Sequence, residues 1–222
     1  MPRTGRLIIE SGVFHILCRG NNRQRIFEKD SDYRYYLDLL KNYKADHKFF
    51  LYHYCLMPNH AHLLLETTVD TDLPKLMKQL NLSYYFYFRK RYKYYGHFWQ
   101  GRYKSLLVSK DEYMLMCGRY IENNPIKAGL VRKGEDYQWS SYKTYAGGIY
   151  DGLVDSDPLY EGLGREDETR QKRYREFLKD GVKINFNSRF LGGERFIKAM
   201  EKRFGVKNIE LGPGRPKKAD EK

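Results

Sequence analysis

The amino-acid sequence predicts an α+β fold, in which a ferredoxin-like antiparallel sheet carries helices on one face and is followed by a C-terminal helical appendage. The first observation is that segments of β-type composition alternate with segments of helical periodicity. Their order is strand, helix, hairpin, helix, strand, helix, which an antiparallel sheet covered by helices accommodates. The second is the length of 222 residues, enough for one ordinary domain and an appendage.

Each element is predicted from its local pattern. The predicted strands are 12–19, 49–56, 60–67 and the end of the segment 97–108. The predicted helices are 30–46, 73–91, 111–124, 166–178 and 193–204. Asp30-Ser31-Asp32 and Asp111 supply N-cap chemistry at the starts of two of these helices. The turn Met57-Pro58-Asn59 joins the hairpin strands, and Pro125 should end one helix or begin the next.

The composition changes after Ala146, and this change divides the chain. Residues 1–146 carry all the elements of the sheet and form the main domain. Glycine-rich loops follow, and residues 147–210 have the mixed charge of an appended helical lobe whose simplest role is packing. Residues 211–222 form a basic tail that we expect to be disordered. Its core, Gly-Pro-Gly-Arg-Pro-Lys-Lys, has an Arg-Pro unit suited to a narrow DNA minor groove, so Arg215 and Lys217 are candidate DNA contacts.

The charge balance indicates a polyanionic partner. The chain has 41 Lys and Arg against 28 Asp and Glu, a formal net charge of +13, and a pI near 9.5. The aromatic content of 16% favours unpaired bases, which offer faces for stacking. No apolar run reaches the ~20 residues that span a bilayer, and the three cysteines form no paired motif. We therefore expect a soluble, cytoplasmic protein with reduced cysteines.

A pair of histidines stands at the start of a predicted strand. His60 and His62, in the segment MPNHAHLLLE, are separated by one small residue. Side chains two residues apart in a strand point the same way, so both imidazoles would aim at one point, as metal ligands do. A core role for one of the histidines remains an alternative. Glu66 shares their face but lies about 13 Å from His62 by the strand rise, so it ranks below other candidate ligands.

The segment 73–110 contains no acidic residue but holds nine Lys or Arg and eleven aromatic residues. This composition favours contact with a nucleic acid, although a solvated face is the simpler explanation. The candidate DNA-binding residues of this segment are Arg89, Arg91, Lys93, Trp99, Arg102 and Lys104. Arg19 and Arg23, at the end of the first strand, are candidate phosphate contacts or ordinary loop residues.

Tyr120 and Asn124 are four residues apart, so they share one side of the third helix if it extends that far. From the residues alone, Tyr120 is best explained as a packed aromatic side chain. Asn124 is best explained as the N-cap of a turn at Pro125.

Four motifs occur in an order that resembles a known family. They are MPNHAHLLLE, HFWQGRYKS, RYIENNPIKAGLV and YQWSSY, and the similarity covers residues 12–146. In this respect the chain resembles the REP-associated tyrosine transposases, a branch of the single-tyrosine HUH transposases of small bacterial insertion sequences. The central residue of the histidine motif, usually bulky and apolar, is Ala61 here, a departure that we expect to affect packing only.

The resemblance implies a site and a reaction, with residues 1–146 as the catalytic domain. His60 and His62 would hold a divalent ion, Mg²⁺ or Mn²⁺, with Asn124 as a further ligand. Tyr120 would be the nucleophile that cleaves single-stranded DNA carrying a hairpin, such as a repetitive extragenic palindrome (REP), through a 5′-phosphotyrosine, and the strand could then be rejoined. Relatives include dimers and proteins that act alone, so a homodimer and a monomer both remain open.

Two other interpretations are compatible with the sequence. The chain could be a non-catalytic, domesticated DNA- or RNA-binding regulator on the same fold, because basic and aromatic residues suit a binder equally well. It could also be a nickase of the replication-initiator type. An enzyme can be distinguished from a binder by whether four side chains converge, since a binder does not require such a site. These side chains are His60, His62, Tyr120 and Asn124.

Overall fold

The computed structural model describes residues 9–179 and 188–208, so Arg215, Lys217 and the rest of the tail lie outside the described residues. The strands are β1 (Gly12–Arg19), β2 (Phe49–Met57), β3 (His60–Thr67), β4 (Lys104–Val108) and β5 (Phe190–Leu191). The longer helices are α1 (Asp30–His47), α2 (Leu73–Tyr92), α3 (Glu112–Glu122), α7 (Asp167–Lys179) and α8 (Glu194–Phe204). The short ones are α4 (Asn124–Lys127), α5 (Tyr142–Gly147) and α6 (Pro158–Glu161).

The sheet has the strand order β2-β3-β1-β4-β5, so β1 lies in its middle. The first four strands pair antiparallel, as predicted, and β5 adds a short parallel pair to β4. The register places His62 of β3 opposite Cys55 of β2 and Leu17 of β1. The α+β fold is therefore confirmed, and a two-residue strand from the C-terminal part extends its sheet.

Helices cover both faces of this sheet, which differs in detail from the one-sided arrangement that the sequence predicts. Helices α1 and α2 pack over one face, with Tyr36 and Tyr84 fully buried among the strands' apolar residues. Helix α3 packs over the opposite face through Met114, Cys117 and Ile121. The physical reason is that β1 and β3 bury consecutive residues, so both faces need cover.

Local chemistry explains where the helices begin. The Asp111 side chain accepts a hydrogen bond from the Tyr113 N–H at the start of α3, as its sequence position predicts. Asp72 accepts from the Lys75 N–H at the start of α2 in the same way. At the start of α1, the buried Asp32 carboxylate accepts from the backbone N–H of Lys29.

Residues beyond 146 are joined to the sheet at several points. The Asp155 N–H donates to the Leu51 carbonyl over 2.7 Å, at the edge strand β2. At the other edge, the Ser109 N–H donates to the Leu191 carbonyl over 2.8 Å. Helices α7 and α8 fall within one residue of their predicted bounds. Among the residues described, no helix has the length and hydropathy required to cross a membrane.

Candidate functional site

The face of the sheet beneath α3 carries the two predicted histidines. His60 begins β3 directly after the turn and pairs with Met57 and Arg19, and His62 follows on the same face. The centroids of the two imidazole rings are 4.8 Å apart. The two side chains therefore lie close together on one face of the strand, as the sequence predicts.

A hydrogen-bond chain fixes the orientation of the His60 ring. The Asn59 amide nitrogen donates to the Arg23 carbonyl over 3.2 Å, which leaves the Asn59 oxygen as an acceptor. That oxygen lies 2.5 Å from His60 Nδ1, so Nδ1 carries the proton. The Nε2 atom of His60 is then the nitrogen with a free lone pair, which is the form that a metal ligand requires.

A third histidine, His15, supports His62 from the neighbouring strand β1. Its Nε2 atom lies 2.8 Å from His62 Nδ1, and the two rings stack with centroids 5.1 Å apart. Since this contact occupies Nδ1 of His62, only its Nε2 atom is left for another partner. Partners of this kind commonly orient the histidines of metal sites.

All three histidines are held in their neutral form. Burial, followed by the proximity of His60, lowers the pKa of His15 to about 3. Burial and the charge of Arg19 lower the pKa of His60 to about 4. Burial, assisted by the neighbouring His15, His60 and Arg19, places the pKa of His62 well below its usual value. Neutral imidazole is the species that binds cations, so no proton has to leave these rings at neutral pH before a metal can bind.

Tyr120 lies above these rings on α3. Its ring centroid is 5.9 Å from that of His62 and 6.1 Å from that of His15, edge-on to both. Burial raises the pKa of its phenol, the Cys117 thiol adds to this effect, and the charge of Arg19 opposes it. Lys127 of α4 places its ammonium group 5.0 Å from the ring centroid. Tyr120 is thus a protonated phenol at neutral pH beside two cationic side chains.

Arg19 is positioned to meet an anion at this point. It ends β1 opposite His60, and its charge acts on His60, His62 and Tyr120. Its Nε atom is buried and has no hydrogen-bond partner among the described residues. A buried guanidinium nitrogen without a partner carries a free-energy cost.

Asn124 lies one turn beyond Tyr120, but its side chain is partly engaged. Helix α3 ends at Glu122, and Asn124 begins α4. The Asn124 amide nitrogen donates to the carbonyls of Tyr120 (2.8 Å) and Ile121 (3.2 Å), which leaves its oxygen free of these bonds. Glu66, the weaker candidate ligand, accepts from the Tyr52 hydroxyl and pairs with Lys110.

The donors at the site could hold a divalent cation that shares its coordination with a substrate. Within residues 9–179 and 188–208, no three His, Cys, Asp or Glu side chains converge as a closed metal site. His60 and His62 each offer one Nε2 atom. Among the described residues, no contact joins the Asn124 side chain to either imidazole, so Asn124 stays a candidate ligand from the sequence. Two nitrogens leave several coordination positions open, as Mg²⁺ or Mn²⁺ bound to a phosphate requires.

A buried charged network anchors the helix that carries Tyr120. His53 of β2 donates to Glu122 of α3 over 2.8 Å and to Asp157 over 3.2 Å, and all three side chains are fully buried. Ser141 and Tyr174 donate to the same Glu122 carboxylate, over 2.6 and 2.9 Å. Burial alone would lower the pKa of His53, but its bonds to Asp157 and Glu122 raise the pKa to about 9. The C-terminal part therefore holds α3 in place.

Most of the predicted DNA-binding residues of segment 73–110 are exposed at the surface. Arg89, Lys93, Arg102 and Lys104 are exposed, and Lys104 pairs with Leu17 on the face of the histidines.

Two predicted residues of the segment are engaged within the protein. Arg91 is exposed but reaches back to the buried Asp32 of α1, whose carboxylate supplies a counter-charge from outside the segment. Trp99 is half-buried and donates to the Asn81 carbonyl over 3.0 Å. These two side chains therefore have structural partners of their own, which the sequence does not reveal.

Backbone hydrogen bonds bring the aromatic loop before β4 next to the site. The Asn21 N–H donates to the Phe98 carbonyl, and the Gln100 N–H donates to the Arg19 carbonyl, each over 2.8 Å. The exposed Arg23 lies in the same turn as Asn21. The basic and aromatic surface is thus continuous with the end of β1, where Arg19 stands. A cleft of about 660 Å³ beside this loop is lined by residues that include Lys75, Lys78, Trp99 and Arg102.

Two buried histidines that organise this region escape prediction from the sequence. His15 lies 47 residues from His62, and His53 lies 69 residues from Glu122. The signal for both is a histidine inside an apolar strand, as in VFHILC and FFLYHYCLM. A polar residue at such a position needs a buried partner, although the strand itself does not reveal which one.

The fold and the site together define the class of this protein. It is an α+β protein whose sheet presents paired histidines to a tyrosine on a packed helix, beside a basic surface. Residues 9–124 match the family described as "Transposase IS200 like". The match spans more than half of the chain, so the protein belongs to the IS200-like transposase family.

Two relatives illustrate the similarity. A "Putative REP-associated tyrosine transposase" of Haemophilus influenzae is 26% identical over 137 residues, which cover 51% of this chain and 74% of the relative. A solved structure of a REP-associated tyrosine transposase bound to a REP hairpin has a TM-score of 0.57 and 19% identity, covering 71% of this chain and 93% of that chain. At this level of identity, the structural likeness shows a shared fold.

Proposed function

We propose that this protein is a metal-dependent DNA transesterase that cleaves hairpin-containing single-stranded DNA through Tyr120 and can rejoin it, as in DNA transposition and REP-element mobilisation. The observation that carries the proposal is the position of Tyr120, whose ring centroid lies 5.9 Å from that of His62, above the histidine pair. Membership of a transposase family supports the same reaction. A non-catalytic binder would have no need for a tyrosine ring beside paired imidazoles.

In the proposed reaction, the Tyr120 oxygen attacks the scissile phosphorus and the bond to the 3′-oxygen breaks. The phenol loses its proton and the leaving 3′-oxygen takes one up, so the products are a 5′-phosphotyrosine and a free 3′-hydroxyl. The energy of the phosphodiester bond stays in the covalent link, and the reverse attack by a 3′-hydroxyl needs no ATP. Because burial raises the pKa of the Tyr120 phenol, the positive charges around it are needed to favour the phenolate.

Three features of the chain would prepare this site. His60 and His62 would hold Mg²⁺ or Mn²⁺ through their Nε2 atoms, and Asn124 would contribute its amide oxygen. When bound, the ion would withdraw charge from the scissile phosphate. His15 would keep the His62 ring in its ligand orientation, and the half-buried Arg19 would bind a phosphate oxygen with the accessible part of its guanidinium group.

The proposed substrate rests on the surface and on the relatives. The exposed cations and aromatic rings of segment 73–110 suit a single strand, whose phosphates need neutralising and whose bases stack. The relative of known structure was solved with a REP hairpin. We therefore propose single-stranded DNA with a hairpin, of the REP type, as the partner of this protein in the cytoplasm, bound by a monomer or by a homodimer.

A covalent-adduct assay tests the proposal. The protein is incubated with a labelled hairpin oligonucleotide and Mn²⁺, denatured, and examined for label that migrates with the protein. The wild type should form an adduct that maps to Tyr120, and Tyr120→Phe should form none while binding the DNA equally well. Tyr113→Phe, at a half-buried tyrosine on the same helix, is the matched control and should react normally. An adduct in Tyr120→Phe would assign the nucleophile elsewhere.

A further inference from the structure

The structure contains a second basic cleft beside Tyr120, outside segment 73–110. It has a volume of about 710 Å³ and runs between α4 and helix α7 of the C-terminal part. Tyr120 and Lys127 belong to its lining. Among its lining residues, Lys and Arg outnumber Asp and Glu by seven to two. Such an excess of positive charge beside the proposed nucleophile needs an explanation.

One face of α7 supplies much of this charge. Lys172, Arg175 and Lys179 line the cleft, and they follow the spacing of three and four residues that places side chains on a single helical face. Lys172 and Lys179 are exposed and make no ion pair within the part of the chain that the structure describes. Their charge is therefore available to a ligand, since neither ammonium group is paired with an acidic side chain of the described protein.

The wall formed by α7 is held firmly against the helix of Tyr120. The Arg119 guanidinium donates to the Phe177 carbonyl over 2.7 Å and lies 3.9 Å from the centroid of the Phe177 ring. The Asn123 amide donates to the Leu178 carbonyl over 2.9 Å. These bonds cap the last turn of α7, where carbonyl groups lack helical partners. The backbone that carries the cations of α7 is thus tied to the segment that carries Tyr120.

The remaining lining suits a single strand. The rings of Tyr120 and Tyr142 and the side chain of Ile126 border the cleft between its cations. Cations for phosphates and flat or apolar surfaces for bases are the combination found in grooves for unpaired nucleic acid. The volume lies within the ~300–1,000 Å³ range of ligand pockets, which is room for a short length of strand rather than a duplex.

From these observations we infer that the cleft between α4 and α7 binds the single-stranded DNA that continues from the scissile phosphate, with Lys172 and Lys179 neutralising its phosphates. The inference rests on the proposed function, because that function brings the strand to Tyr120. It gives the C-terminal part a role in substrate binding besides packing. The strand would then have two basic surfaces to follow, this cleft and the surface of segment 73–110.

The salt dependence of DNA binding tests the inference. The full-length variant Lys172→Gln/Lys179→Gln is compared with the wild type, using a fluorescent oligo(dT) of about 20 nucleotides and a blunt duplex of the same length. Anisotropy gives affinity between about 50 and 200 mM salt. The slope is that of the logarithm of the binding constant against the logarithm of the salt concentration. Each lost phosphate contact on a single strand reduces its magnitude by about 0.7, so we expect a reduction of about 1.4 on oligo(dT) and an unchanged slope on the duplex.

A matched control removes the same charge elsewhere. Lys41→Gln/Lys202→Gln alters one exposed lysine on α1 and one on α8, neither of which lines the cleft, and should keep the wild-type slope. Circular dichroism checks that every variant folds. The inference is overturned if the cleft variant keeps the wild-type slope, if the control loses as much, or if the duplex slope changes equally. A failure of the proposed function gives a different result. The wild type would then bind oligo(dT) but form no covalent adduct with a hairpin oligonucleotide.

Discussion

The buried network beneath Tyr120 allows a quantitative prediction. His53 is fully buried between Glu122 and Asp157, which are also fully buried. Replacing His53 with glutamine removes the positive charge and leaves two carboxylates without a cation. Breaking a buried ion pair in this way costs about 3–5 kcal/mol. For a protein of this size each kcal/mol lowers Tm by about 2–4 °C, so we expect Tm to fall by about 6–20 °C at pH 7.

The same network predicts how stability changes with pH. The folded-state pKa of His53 is raised to about 9, compared with an ordinary value of 6.5. A histidine whose pKa is raised in the folded state stabilises the fold fully at pH values below its unfolded-state pKa. This contribution is lost as the pH rises through its folded-state pKa. The free energy of unfolding of the wild type should therefore decrease by up to about 3 kcal/mol between pH 6.5 and 9. His15 and His60, whose folded-state pKa values are lowered, titrate in the folded protein below this window.

Urea unfolding followed by circular dichroism measures both effects. The matched control is His97→Gln, the same substitution at an exposed histidine, which should change the free energy of unfolding by less than about 0.5 kcal/mol. The reasoning is refuted if His53→Gln costs less than about 1 kcal/mol at pH 7. A wild-type stability that is flat across the same pH range would equally contradict a charged His53.

Three further predictions concern the site and its surroundings. Gly118→Ala would place a Cβ atom 2.5–2.7 Å from atoms of the His53 ring. Differential scanning fluorimetry should show a lower Tm, corresponding to a loss of about 1–3 kcal/mol in the free energy of unfolding. An unchanged Tm would mean that the His53 ring can move. His15→Leu should weaken Mn²⁺ binding, measured by calorimetry, by about 10–100-fold, because the His62 ring loses its hydrogen bond; wild-type affinity would exclude a supporting role for His15. Lys78→Gln, in the cleft beside Trp99, should reduce the salt slope on oligo(dT) by about 0.7, and an unchanged slope would remove this cleft from the DNA path.

Several parts of the fold were predictable because they depend on local chemistry. The cap at Asp111 lies next to the helix it begins, and Pro58 lies in the turn it forms. Pro125 likewise stands in the first turn of α4, directly after the end of α3. The shared face of His60 and His62 was predictable for the same reason, since the alternation of side chains in a strand depends only on the strand itself. The placement of Tyr120 over this pair required the resemblance to a family, because the residues alone favoured a packed aromatic side chain.

The sequence by itself determined the order of the elements from β1 to α3, the faces of individual strands and helices, and the basic and aromatic character of segment 73–110. Only the tertiary structure decided that α3 covers the face opposite to α1 and α2, and that His15 and His53 meet partners far along the chain. The physical reason is that periodicity records which side of an element avoids water, whereas the choice of the element that covers that side depends on the packing of the whole chain.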